Sequence, residues 1–228
     1  MSAARPVRPG PSSSRGMLAA VLPSDDAAAL SEDARVRFEA LYERRPTWDV
    51  PRPQPAFVAL AEAGRILSPV LDAGCGTGEN ALYLAARGHV VFGVDLVGAA
   101  IGLARAKAAA RGLPVARFLV GDALRLEDLG LTFATVIDSG LLHAFTDRER
   151  ELYVASLGVV LRPGGLGHVL CFSDEEPGTD GPRRVTQVEL RAAFAPPAWE
   201  LLEIAPARFL TNVHADGARA WRATVRRR

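Results

Sequence analysis

The chain has 228 residues, 49% hydrophobic and 23% charged, a balance that suits one globular domain with a substantial core. Its net charge of +1 carries no basic stripe for a nucleic-acid partner, and no run approaches the roughly 18 apolar residues of a membrane span. Two cysteines, Cys75 and Cys171, are too few for a disulfide framework or a metal cluster and read as reduced thiols of a cytoplasmic protein.

Residues 1–23 are rich in Pro, Arg, Ser and Gly without apolar periodicity and read as a disordered tail, with Met17 an alternative start to Met1. Residues 24–64 form a separate N-terminal part. Asp25 and Asp26 favour a helix start, and Ala34, Phe38, Leu41 and Tyr42 share one face of the helix that follows. Four prolines between Pro46 and Pro55 make the next stretch extended, and a short helix from about Pro55 to Ala63 closes at Gly64.

From residue 65 to 228 strands and helices alternate. The apolar run Ile66–Leu71 predicts a first strand, followed by the loop Asp72-Ala73-Gly74-Cys75-Gly76-Thr77-Gly78 and a helix from Asn80 to Arg87. Further strands are predicted at Val90–Val94, Ala116–Val120, Phe133–Ile137, Gly167–Phe172, Trp199–Ile204 and Ala218–Val225. A helix spans Gly98–Arg111, and capping boxes at Thr146–Glu149 and Thr186–Glu189 open two more. Arg162-Pro163-Gly164-Gly165 reads as a turn, and Arg226-Arg227-Arg228 as a solvated, frayed end. Alternation at this spacing predicts an α/β fold: a doubly wound, mostly parallel seven-stranded sheet with helices on both faces.

Ligands of such sheets bind beyond the carboxyl ends of the strands, and there the chain places Asp72, Asp95, Asp122 and Asp138. Closely spaced glycines before a helix let the backbone approach a nucleotide-like ligand. Carboxylates at Asp72 and Glu79 beside that loop disfavour phosphates and favour a ligand carrying an ammonium and a sulfonium. The competing register Gly76-Thr77-Gly78-Glu79-Asn80-Ala81 matches the glycine pattern of an NAD(P)-dependent oxidoreductase.

Val70–Gly78, Gly93-Val94-Asp95, Gly121-Asp122-Ala123 and Leu161–Gly165 together resemble the Rossmann-like S-adenosylmethionine (SAM)-dependent methyltransferases over roughly residues 66–175. Trp48–Pro55 resembles a segment of the thiopurine- and halide-type enzymes, and Asp138–His143 one of bacterial heterocycle-directed relatives. The resemblance implies SAM as cofactor, S-adenosylhomocysteine (SAH) as product and no metal. It implies a cofactor site of Trp48, Asp72, Gly74, Cys75, Gly76, Gly78, Asn80, Asp95, Leu96, Gly121, Asp122, Ala123, Asp138 and Ser139. Asp95 would take the ribose hydroxyls, Asp122 the adenine amino group, and Leu96 and Ala123 the ring faces. The N-terminal segment would close over the site as a lid, with Phe38, Tyr42, Trp48 and His143 toward the acceptor. Trp48 also reads as an ordinary core aromatic.

Asp138 and His143 are the catalytic candidates. His143 reads either as a base for an acceptor that bears a proton or as a side chain that fills the loop and orients the acceptor. The stretch from Phe172 to Arg184 reads as a substrate-side loop. The expected reaction is methyl transfer to oxygen, nitrogen or sulfur of a small aromatic or heterocyclic molecule. A nucleic-acid or protein methyltransferase and an NAD(P)-dependent oxidoreductase are the alternatives.

Overall fold

The computed structural model describes residue 32, residues 35–42 and residues 46–228. The expected tail at 1–23, Met17, the helix start at Asp25 and Asp26, and Ala34 lie outside the described residues.

Seven strands form one sheet: β1 (Val70–Ala73), β2 (Val91–Asp95), β3 (Ala116–Val120), β4 (Phe133–Ser139), β5 (Leu161–Phe172), β6 (Trp199–Phe209) and β7 (Ala218–Arg227). Their order is β3-β2-β1-β4-β5-β7-β6. β1 to β5 run parallel, and β7 lies antiparallel between β5 and β6. The helices are α1 (35–42), α2 (Pro55–Glu62), α3 (Glu79–Ala85), α4 (Gly98–Ala110), α5 (Asp147–Val160) and α6 (Gln187–Ala193), with 3-10 segments at Ala123–Leu129 and Leu142–Ala144. α2, α3 and α4 bury Phe57, Leu60, Leu82, Leu84 and Ile101 on one side of the sheet. α5, α6 and the first 3-10 segment bury Tyr153, Leu157, Leu190 and Leu126 on the other. The doubly wound architecture follows because each strand of the centre is apolar on both faces and needs cover on both.

Both capping boxes form, at Thr146 with Glu149 and at Thr186 with Glu189. Three expectations need correction. Arg162–Gly165 is not a turn between elements but lies within β5, where the register jumps from Phe133–Leu161 to Thr135–Leu166. The residues between those pairs form a bulge, which lets one strand carry a local loop without ending. The arginine end is not frayed: Arg226 and Arg227 belong to β7, and Arg227 donates to the Gly158 carbonyl at 2.9 Å. β6 runs on through Pro206 to Phe209, because an edge strand tolerates a residue without an N–H.

The glycine loop is shaped by what lies over it. Gly78 caps α3 at φ +88°, and a Cβ there would meet the Phe118 ring at 2.8 Å. Left-handed strain and overpacking therefore act together in Gly78→Ala. A loss of about 2–4 kcal/mol in urea unfolding is expected, and a loss under about 0.5 kcal/mol would show that the loop yields freely.

Candidate active site

The C-terminal ends of β1, β2, β3 and β4 form the floor of a cavity of about 430 Å³. Each end is shaped by an aspartate, and the four aspartates do different jobs. Asp95 accepts the Gly76 N–H on Oδ2 at 2.8 Å and the Val97 N–H on Oδ1 at 2.9 Å. Each oxygen keeps a further lone pair, and the residue lines the cavity, so a pair of adjacent hydroxyls can dock there. Asp122 caps the 3-10 segment by accepting the Leu124 N–H, and with Gly121, Ala123 and Leu96 it walls a narrow slot beside Asp95. Gly74 and Ser139 complete this side. Carboxylates, small apolar side chains and glycine backbone thus line this side of the cavity.

Asp72 and Asp138 differ from the other two. Both are fully buried and neither lines the cavity. Asp72 accepts the Ala81 N–H at the start of α3 and leaves Oδ1 without a partner. Burial pushes its carboxyl up to about 8, with smaller contributions from Asp138 and Asp95. Asp138 accepts the N–H groups of Leu141 and Leu142 and the Tyr153 hydroxyl. Burial pushes it up to about 7, against those hydrogen bonds. It braces the loop after β4. Short polar side chains at strand ends bond to nearby backbone as readily as they face outward, and sequence does not distinguish the two.

His143 does reach the cavity. Its Nδ1 accepts the Phe172 N–H at 2.9 Å, which leaves the proton on Nε2. Nε2 lies beside Gly140 (φ +86°), where a Cβ would come within 3.0 Å of it and 2.9 Å of the Phe209 ring. Burial, then the charges of Arg184 and Arg150, push the imidazole down to about 3. With Nδ1 engaged by the Phe172 N–H, a neutral ring carries its proton on Nε2 and offers a hydrogen-bond donor there.

The remaining walls are aromatic. Phe172 and Phe209 pack on the His143 ring at centroid distances of 5.2 and 5.6 Å, and Phe145 lines the same end. Sequence reasoning missed Phe209 because the predicted strand stopped at Ile204, and Phe145 for want of any motif. Gly181 and Pro182 of the expected substrate-side loop line the cavity as well.

Phe38, Tyr42 and Trp48 line the cavity, with Trp48 edge-on to both other rings at 6.3 Å. Tyr42 sits over the glycine loop, where its hydroxyl would lie 2.9 Å from a Cβ on Gly76. The segment behind Trp48 is tied down on two sides. Thr77 donates to Asp49 at 2.6 Å, and the Gln54 N–H donates to Asn80 Oδ1 at 2.8 Å. The Gln54 amide both accepts from and donates to the backbone of Leu210. Asn80 thus ties the segment down rather than facing the main cavity. With Cys75, Gly76 and Gly78 it lines a side cleft of about 50 Å³. The Cys75 thiol is buried there and pushed up well above its ordinary value. Gln54→Ala leaves both Leu210 groups without partners. A loss of about 2 kcal/mol and faster proteolysis within residues 46–54 are expected; unchanged proteolysis would show that the other ties suffice.

Glu79 also differs from expectation. Its carboxylate pairs with Lys107 and Arg111, both at 2.9 Å, so its charge is spent within the fold and does not select against phosphates. Among the described residues no three His, Cys, Asp or Glu side chains form a metal-binding group, and no helix is long and apolar enough to cross a membrane.

Residues 70–165 match the family described as "Methyltransferase domain". The chain is 37% identical over 193 residues to 2-heptyl-1-hydroxyquinolin-4(1H)-one methyltransferase of Mycobacteroides abscessus, spanning 80% of this chain and 85% of that protein. It is 32% identical to thiopurine S-methyltransferase of Pseudomonas entomophila, over 73% of this chain and 85% of the relative. A solved structure described as "Conversion of a Disulfide Bond into a Thioacetal Group during Echinomycin Biosynthesis" superposes with a TM-score of 0.76 at 39% identity, covering 85% of this chain and 92% of the other. The Burkholderia thailandensis 1,6-didemethyltoxoflavin-N1-methyltransferase, solved with bound 1,6-didemethyltoxoflavin and SAH, shares the fold at a TM-score of 0.65 and 24% identity, over 93% of this chain and 92% of the other. With this likeness along most of its length, the chain belongs to the SAM-dependent methyltransferases.

Proposed function

We propose that the protein transfers a methyl group from SAM to an oxygen, nitrogen or sulfur atom of a small aromatic or heterocyclic molecule. The observation that carries this reading is the acceptor end of the cavity. Phe145, Phe172 and Phe209 wall a flat apolar space in which His143 presents one N–H donor. Such a space takes a planar ring and aligns one polar substituent. The relatives whose names state a hydroxyquinolone, a thiopurine and a toxoflavin precursor support the same class of acceptor. The roof of Phe38, Tyr42 and Trp48 favours a molecule that enters whole over a polymer.

When bound, SAM supplies a methyl group on a positively charged sulfur. The chain's contribution is placement and exclusion of water. Asp95 and the slot at Asp122 hold the adenosyl part, the aromatic walls orient the acceptor plane, and the roof closes the site. Two measurements test the reading. SAM and SAH at ~100 times their dissociation constants add ~2.7 kcal/mol to the folded state, and thermal shift is expected to show this for them and not for NADH or NADPH. A panel of 1-hydroxyquinolin-4(1H)-one, 6-mercaptopurine and 4-nitrophenol is then screened for methylation, and failure of every member would overturn the acceptor class.

A further inference from the structure

The stretch between β5 and α6 is held by a side chain where backbone bonds are missing. At its base Ser173 bridges to Val185, the Asp174 N–H donates to the Val185 carbonyl, and the Val185 N–H donates to that of Phe172. Above that base, residues 177–184 make no backbone-to-backbone hydrogen bond among the described residues. Pro177 and Pro182 carry no N–H, and Gly178 and Gly181 turn the chain at φ +77° and +90°. Arg184 fills the middle. Its Nε donates to the Glu176 carbonyl at 3.3 Å and its Nη1 to that of Pro182 at 2.7 Å. Its Nη2 serves Pro177, Gly178 and Asp180 at 3.2, 3.3 and 3.0 Å. The guanidinium also stands over the Phe172 ring at 5.3 Å, and that ring packs edge-on to His143. Arg184 therefore touches the cavity wall twice, through Pro182 and through Phe172. Other ties hold the flanks. Asp174 accepts the Trp221 indole N–H, Glu176 accepts the Arg219 N–H and faces His214, and exposed Arg183 pairs with Asp147 and Glu189. The turn from Pro177 to Pro182 is left to Arg184.

We propose that Arg184 is a positioning residue for the acceptor, the frame that holds the Gly181–Pro182 wall against the Phe172 ring before the acceptor arrives. This rests on the acceptor reading above and adds the group that sets the shape of that end of the cavity. A planar fork with five N–H groups serves several carbonyls at once, whereas an ammonium of the same charge is a compact point with three. A wall already in place spares the acceptor the cost of ordering it. Loss of the frame therefore weakens acceptor binding, while transfer within the bound complex keeps its rate and the β1–β3 side of the cavity keeps its grip on the cofactor.

Arg184→Lys keeps the charge and removes the fork, so it tests the frame alone. The protein saturated with SAH is titrated with 1-hydroxyquinolin-4(1H)-one, 6-mercaptopurine and 4-nitrophenol, and KM and kcat are measured for each probe that is methylated. Cleavage after Glu175 and Glu176 by a glutamyl endopeptidase is timed without any acceptor. In Arg184→Lys the acceptor dissociation constant and KM are expected to rise about tenfold, with kcat and SAH affinity within about twofold of the parent. Cleavage is expected to be about fivefold faster, as a loop without its internal bonds opens more often. Arg183→Gln removes the exposed pairs and leaves the frame, and its acceptor affinity is expected to stay within about twofold of the parent. Unchanged acceptor affinity in Arg184→Lys, an equal fall in SAH affinity, or an equal effect of Arg183→Gln overturns the proposal. Unchanged cleavage overturns it without any acceptor. Failure of the parent to bind any of the three probes overturns the acceptor reading itself, a distinct result.

Discussion

Asp95→Ala is expected to lower affinity for SAH by roughly a hundredfold and to leave the fold in place. Two charge-assisted hydrogen bonds to a ribose are together worth about 3 kcal/mol, and each tenfold in affinity is about 1.4 kcal/mol. Asp95 also receives Gly76 and Val97, so part of the loss comes through a loosened glycine loop. Isothermal titration with SAH gives the affinity, and a urea melt of the apoprotein gives the cost to the fold. Affinity within threefold of the parent would mean that the ribose docks elsewhere. A melt that collapses would mean that Asp95 serves the loop first. The companion variant Asp95→Asn keeps one oxygen and is expected to fall between.

Asp138 shows the larger effect on stability. Asp138→Leu strands the N–H groups of Leu141 and Leu142 and the Tyr153 hydroxyl in a buried place. A loss of about 3 kcal/mol is expected, a fall of roughly 6–12 °C in Tm for a domain of this size. Asp138→Asn keeps one of the two acceptor oxygens and is expected to cost less than Asp138→Leu. The same group leaves a mark on pH dependence. Its folded carboxyl ionises near 7 and that of Asp72 near 8, both far above the unfolded value of about 4. Between those limits the folded chain holds protons that the unfolded chain has released, so stability falls as pH rises. The contribution is fully present below about pH 4 and gone above about pH 8. Urea unfolding of the apoprotein is therefore expected to show higher stability at pH 5 than at pH 8, and Asp138→Asn to flatten the slope. An equal slope in the variant would remove Asp138 from the account.

These two aspartates also show where sequence reading succeeds and where it stops. The strand ends, both capping boxes and the glycine loop are local signals, and the structure has them close to where the pattern places them. So are Asp95 and Asp122, whose side chains turn to the cavity because the next residues begin helical segments that need their oxygens. Asp72 and Asp138 stand at equivalent strand ends but turn inward, toward Ala81 and Tyr153, and that choice is made by contacts 9 and 15 residues away. Glu79 is neutralised by Lys107 and Arg111, on and just past a helix that it meets only after folding. The acceptor wall is the least legible part: His143, Phe172 and Phe209 come from three separate elements, and no spacing rule links them. The tautomer of His143 depends on a backbone N–H of β5, which a sequence does not display.

The place of β7 between β5 and β6 has a consequence for synthesis. β6 emerges from the ribosome first but reaches the sheet only through the strand that follows it. Until Ala218–Arg227 arrives, β5 keeps an open edge of unpaired backbone groups, and β6 has nothing to pair with. During that interval the nascent chain can already assemble the half of the sheet that holds the adenosyl floor, while its other half invites pairing with a second chain.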